Sequence, residues 1–372
     1  MEAPLDKLRA RLTAAGYGFV EPPILHDADL FLDLAGEDLR RRLFLTGAAD
    51  GVELCLRPDY TIPVALHHLT AGDPRRLGAY AYCGPVFRQR SGETGEFTQA
   101  GVESIGRTDR GDADAEMLAL ALDAVSLYDV TGPTIRIGDS ALFAAMLDSL
   151  PVPEIWRKRL RRAFGDPARI VAVLDQLSGE RTGPRPGYAG LLAALNGADH
   201  MAARKIVDDL LAVAGIRPVG GRSAAEIAER FVEQAALTSG SEADRAAAAL
   251  LRRFLAVRGS PDEAALALGA IAAADAPALA PAIERFVART DRLIDHGIGP
   301  DRLDFAADFG RRLDYYTGFV FELYADDPTT AKPVAGGGRY DRLLSLIVSR
   351  DGSGADIPAV GFALWLDRLE RR

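Results

Sequence analysis

Short apolar segments punctuated by glycine, proline and aspartate occupy both ends of the chain, and a long alanine- and leucine-rich stretch separates them. At 41–106 the segments RRLFLTG, VELCLRP, GAYAYCGPVFRQ and FTQAGVESIG alternate with turn residues, the pattern of an antiparallel sheet. From residue 303 strand patterns return in LDFAADFG and YYTGFVFELYA, followed by a glycine turn in AGGGRYDRLLSLI. Between them, over about 140–295, helical periods recur in pieces such as ADRAAAALLRRFLAV, and no strand pattern lasts more than a few residues. One sheet built from both chain ends, with a helical insertion, is the economical arrangement. The expected fold class is therefore α+β, with a discontinuous core at 1–150 and 295–372 and a mainly helical insertion at 151–294.

Leu5, Leu8 and Leu12 predict a helix over 4–15, ended by Gly16 and Gly18, and Phe19–Leu25 reads as a strand interrupted by Pro22 and Pro23. Helices are predicted at about 61–70 and 112–129, a strand at about 134–139, and a terminal helix over AVGFALWLDRLERR.

Composition narrows the chemistry. With 372 residues, 48% hydrophobic and 26% charged, the chain can bury a sizeable core. A net charge of −9 makes a phosphate backbone a poor default partner. Cys55 and Cys83 form no CxxC pair, and the histidines 26, 67, 68, 200 and 296 are scattered, so neither a metal nor another cofactor is expected. GxxxxGK, HExxH and GxSxG signatures are missing from the sequence. The charged N-terminus and the lack of an 18-residue apolar run point to a cytoplasmic protein that does not span a membrane.

Two constellations carry polar chemistry. In the first, Asp59 and Thr61 of LRPDYT precede Arg88 of CGPVFRQR and Gln99 and Glu103 of FTQAGVE. The even spacing of Gln99 and Glu103 puts both on one strand face, where carboxylates can hold an ammonium and Arg a carboxylate. A solvated strand face would show the same residues. The second joins GRRLDYYTGFVFELY, with Arg311, Tyr315 and Tyr316, to AGGGRYD, with Tyr340. Phenolic donors over an apolar floor can line a pocket, but a hairpin turn with two packing tyrosines is the simpler reading of these residues by themselves.

Taken in order, these segments resemble the catalytic core of class II aminoacyl-tRNA synthetases, specifically the histidyl-tRNA synthetase family. LRPDYT and GPVFRQR…FTQAGVE resemble its motif 2 region, RRLDYYTGFVFE its histidine-specific motif, and AVGFALWLDRL its motif 3. The resemblance covers about 1–150 and 295–372 and implies an antiparallel sheet flanked by helices, usually dimeric. It implies a histidine site at Asp59, Thr61, Arg88, Gln99, Glu103, Arg311, Tyr315, Tyr316 and Tyr340. In it Glu103 and Asp59 meet the ammonium, Arg311 or Arg88 the carboxylate, and Tyr316, Tyr340 and Gln99 the imidazole region.

The departures lie on the nucleotide side. The family's FRxE motif, whose Glu helps hold ATP, has Arg90 here, and the normally basic loop after it is the acidic SGETGE (91–96). Negative charge facing a triphosphate opposes binding. Trp365 stands where the pattern has a small Gly and is expected to crowd the nucleotide, while Arg312 replaces another Gly with no evident consequence. The chain also ends soon after LDRL, where synthetases continue into an anticodon-binding domain.

This combination resembles the regulatory subunits of ATP phosphoribosyltransferase, synthetase paralogues without that domain. The resemblance implies a non-catalytic subunit in the first step of histidine biosynthesis. It would join the short-form catalytic subunit, be required for its activity, convey feedback inhibition by histidine, and bind no tRNA. A truncated enzyme that activates histidine with ATP, and a stand-alone amino-acid-binding protein, are the rival readings.

Overall fold

In a computed structural model, residues 3–32, 34, 42–90, 92–180, 240–310, 315–329, 331–349 and 354–370 are described. Twelve strands are found among them: β1 (Gly18–Phe19), β2 (Leu25–Asp27), β3 (Leu45–Gly47), β4 (Glu53–Leu56), β5 (Gly78–Phe87), β6 (Glu96–Ile105), β7 (Thr134–Asp139), β8 (Arg258–Gly259), β9 (Leu303–Ala306), β10 (Phe319–Tyr324), β11 (Ala335–Arg339) and β12 (Ala359–Trp365). Nine form one sheet in the order β1-β5-β6-β12-β11-β10-β7-β9-β8, and β2-β4-β3 form a small separate one.

The centre of the large sheet, from β5 to β7, is antiparallel throughout, with parallel pairs only at β1–β5 and β7–β9. N-terminal β5 and β6 meet C-terminal β10 to β12 in it, so both chain ends do build one sheet, as their shared strand pattern predicts. The described stretches 140–178 and 240–295 are helical except for β8, which pairs with β9 at the sheet edge.

The helices start where side chains satisfy their first amides. Ser241 with Asp244 and Ser260 with Glu263 form capping boxes, and Asp139 accepts from the Ala141 amide at 2.7 Å. Alternation in the strands separates two cores. Ala81, Ala100, Val102, Phe362 and Leu364 pack under helix Arg110–Ser126, while Tyr80, Tyr82, Phe97, Tyr340 and Trp365 belong to the opposite cluster.

Three expectations need correction. AVGFALW is strand β12 at the sheet centre, and only Leu366–Leu369 is helical, because an unbroken apolar run buried on both faces fits a central strand. The triple glycine is part of β11 and not a turn; a Cβ on Gly337 would lie 2.3 Å from the Gly361 carbonyl and 2.6 Å from the Phe362 Cβ, so glycine allows close strand packing. Phe19–Leu25 is not one strand, since Pro22 and Pro23 separate β1 from β2, which join different sheets.

Candidate functional site

The site grows from one face of β6. Gln99 is 2% exposed and Glu103 1%, so neither lies on a solvated face. Thr61 begins helix Thr61–Leu69, and its Oγ1 donates to Glu103 Oε1 at 2.8 Å. The Tyr340 hydroxyl, at the end of β11, donates to Glu103 Oε2. Burial pushes the Glu103 carboxyl up to about 8; Tyr340, Thr61 and Tyr82 oppose the rise by hydrogen bonding, and the charge of Asp59 adds to it. Burial beside this carboxyl also raises the Tyr340 hydroxyl well above its ordinary value.

Arg57, which sequence reasoning did not single out, is what holds Asp59 and Thr61 here. Its guanidinium is 2% exposed and donates to the carbonyls of Pro22 (2.6 Å) and Pro85 (2.9 Å) and to the Tyr60 hydroxyl (2.5 Å). Tyr60 in turn stacks on Tyr82 at 4.4 Å, which draws the 57–61 loop against the sheet. The signal was hidden because two of the three partners are backbone carbonyls.

The tyrosines also converge. Tyr315 lies 5.0 Å from Tyr316 and 5.9 Å, edge to face, from Tyr340, and Tyr316 is 6.5 Å from Tyr340. The Thr317 amide donates to the Arg339 carbonyl, and Thr317 Oγ1 accepts from the Asp341 amide, lacing this segment to the end of β11. Asp59, Thr61, Arg88, Gln99, Glu103, Tyr315, Tyr316 and Tyr340 therefore gather on one side of the sheet. Arg311 and Arg312 lie outside the described residues.

Glycine makes room for the carboxylate. Gly361 faces Glu103 across the β6–β12 register, and a Cβ there would lie 1.7 Å from Glu103 Oε2. At Gly101 a Cβ would meet the Phe362 carbonyl at 2.1 Å and the Tyr82 hydroxyl at 2.5 Å.

At the next end of the face, Arg90 is spent on internal partners. It pairs with Glu93 at 2.8 Å and Asp367 at 3.2 Å and stacks over Phe97 at 3.8 Å, while Lys332 takes the other oxygen of Glu93. The motif 3 arginine, Arg368, donates to the Pro333 carbonyl and lies 4.8 Å over the Trp365 ring. Trp365 is 6% exposed and walls the polar site beside Gln99.

A cleft of about 490 Å³ lies between helices Arg110–Ser126 and Ala280–Asp295, apart from these residues. Its buried charges neutralise one another: Arg339 pairs with Asp114 (2.7 Å) and Asp341 (2.9 Å), and Arg289 with Asp139 (2.6 Å). Among the described residues no group of three His, Cys, Asp or Glu is placed to hold a metal ion, and no helix is long and apolar enough to cross a membrane.

An antiparallel sheet backed by helices, with a buried acid–tyrosine cluster on the opposite face, defines a class II aminoacyl-tRNA synthetase-like protein. The family model for histidyl-tRNA synthetase matches residues 1–206 and 200–369. The solved structure described as an ATP phosphoribosyltransferase regulatory subunit/histidyl-tRNA synthetase from Bacillus halodurans superposes with a TM-score of 0.63 at 22% identity, covering 99% of this chain and 77% of that one. Histidyl-tRNA synthetase from Nostoc sp. PCC 7120 gives 0.61 at 18%, covering 99% and 70%. These two likenesses concern the fold. The ATP phosphoribosyltransferase regulatory subunits of Brucella canis and Brucella abortus (strain 2308) are each 43% identical over 369 residues, covering 98% of this chain and 96% and 95% of the relatives. The chain belongs to the family of ATP phosphoribosyltransferase regulatory subunits, which are named as regulatory and not as catalytic subunits.

Proposed function

We propose that the chain binds free histidine at the Glu103 cluster, joins the short-form ATP phosphoribosyltransferase catalytic subunit, is required for its activity, and conveys feedback inhibition by histidine. The observation that carries this reading is a carboxyl 1% exposed, bonded by Thr61 and Tyr340 and walled by tyrosines, on the face where a synthetase-like fold would hold its amino acid. A buried acid with a strongly raised proton affinity, set in a cluster of polar groups, is the mark of a ligand site. In place of the ammonium role that the resemblance implies for Glu103 and the imidazole role for Gln99, the burial of Glu103 suits the imidazole N–H, leaving the ammonium to half-buried Asp59 and the carboxylate to Arg88 and Gln99.

The nucleotide side supports a non-catalytic role. Arg90, Glu93, Asp367 and Lys332 are paired with one another, so a triphosphate would have to break those pairs and face two carboxylates. Regulation through the site needs histidine to bind two states of the assembly with different affinity.

The division into a core at 1–150 and 295–372 and an insertion at 151–294 is proposed with this function, as are self-association into a dimer, cytoplasmic location and the lack of a tRNA substrate. The experiment is histidine-dependent ATP–pyrophosphate exchange by the purified chain, run beside co-purification with the short catalytic subunit. Exchange would support the truncated-enzyme reading and contradict this one; binding of histidine without exchange, together with capture of the catalytic subunit, is the expected result.

A further inference from the structure

Trp365 and Gln99 stand opposite each other in the β6–β12 register, and both are buried. The Trp365 amide donates to the Val334 carbonyl at 2.9 Å, which fixes the residue at the strand end. With the Gln99 amide oriented to satisfy its neighbours, its oxygen accepts from the Trp365 indole N–H at 3.3 Å and from Arg88 Nη2 at 2.8 Å. Half a turn of the amide would set its NH2 against both donors, so two donors, one from β12 and one just past the end of β5, select one orientation. A small Gly at position 365, as the synthetase pattern has, supplies no such donor.

We infer that Trp365 is a positioning residue that sets the ligand selectivity of this site. By holding the Gln99 oxygen toward itself and Arg88, it turns the amide NH2 the other way. Gln99 beside the Arg88 guanidinium then presents donors, and the group they take is the carboxylate of an α-amino acid. This rests on the histidine-binding reading and deepens it, since a decarboxylated analogue gains nothing from the oriented amide.

The test compares histidine with histamine, which lacks the carboxylate, by calorimetry on the full chain and on Trp365→Phe, which keeps a ring and removes the N–H. The expected result is a loss of histidine affinity of about three- to tenfold, the effect of one hydrogen bond, with histamine affinity unchanged. Equal losses for the two ligands, or no loss, would overturn the inference and leave histidine binding standing. A parent chain that binds no histidine contradicts the histidine reading instead. The positional part is then read without ligand, which also serves if Trp365→Phe does not fold. Trp156 and Trp365 are the two tryptophans of the chain, so its proton–nitrogen spectrum holds two indole resonances. Gln99→Met is expected to shift the resonance of Trp365 and leave that of Trp156 in place; two unmoved resonances overturn the inference.

Discussion

Gly361 lies directly opposite Glu103 in the β6–β12 register, and the space a side chain would need at Gly361 is the space the Glu103 carboxylate fills. The buried acid and the glycine are one feature of the sheet, contributed from opposite ends of the chain. Gly361→Ala would set a methyl 1.7 Å from Glu103 Oε2, so the carboxylate must leave Tyr340 or the strands must part. The expected cost is about 1–3 kcal/mol in denaturant unfolding, as for other overpacked cores, together with loss of histidine binding in calorimetry. A variant as stable as the parent that binds histidine equally well would show that this contact is not required.

Glu103 should leave a signature in the pH dependence of stability. Its folded value of about 8 lies above the ordinary 4.5, so between these the folded chain binds more protons than the unfolded one. Its contribution therefore declines as pH rises through that window and is fully unfavourable above about 8. Relative to Glu103→Gln, the parent is expected to lose ~2–4 kcal/mol between about pH 5 and about pH 9, measured by urea unfolding. Parallel curves for the two proteins would contradict this.

The same acid should release a proton when histidine binds. At pH 7 an empty site holds Glu103 mainly protonated, and an N–H donor from the ligand favours the carboxylate. Calorimetric titrations in buffers of different ionisation enthalpy should show a fractional proton released per site; heats independent of buffer would count against Glu103 as the ligand's partner.

Arg57 tests the frame behind the ligand groups. Arg57→Ala strands two carbonyls and the Tyr60 hydroxyl, and the expected loss is about 3 kcal/mol by chemical denaturation. Histidine affinity should fall with it, since Asp59 and Thr61 follow directly. An unchanged midpoint would mean that the guanidinium does not hold the loop.

Arg90→Glu, which restores the charge of the synthetase motif, should fail as a repair. It would place a third carboxylate beside Glu93 and Asp367, at a side chain only 8% exposed. A loss of about 2 kcal/mol is expected, with no pyrophosphate exchange even when combined with Trp365→Gly. Exchange by the double variant would overturn the claim that the nucleotide side is lost.

Much of this was legible in the sequence because period-two alternation survives wherever one strand face is polar. Gln99 and Glu103 show it, and their spacing alone placed them on one face. What escaped depends on burial from both sides. AVGFALW carries no alternation because β12 is covered on both faces, and the glycines of β11 look like a turn while serving close packing. The link between Trp365 and Gln99 also escaped, because the two are remote in sequence and only the register of β6 with β12 joins them.

The central claim is that the Glu103 cluster binds histidine. A calorimetric titration of histidine into the isolated chain, repeated with Glu103→Ala, tests it most directly. Saturable binding at one site per chain, weakened at least about tenfold by the substitution, is the result expected for loss of a hydrogen-bonded charged group. No binding by the parent, or equal affinity in the two proteins, would contradict it.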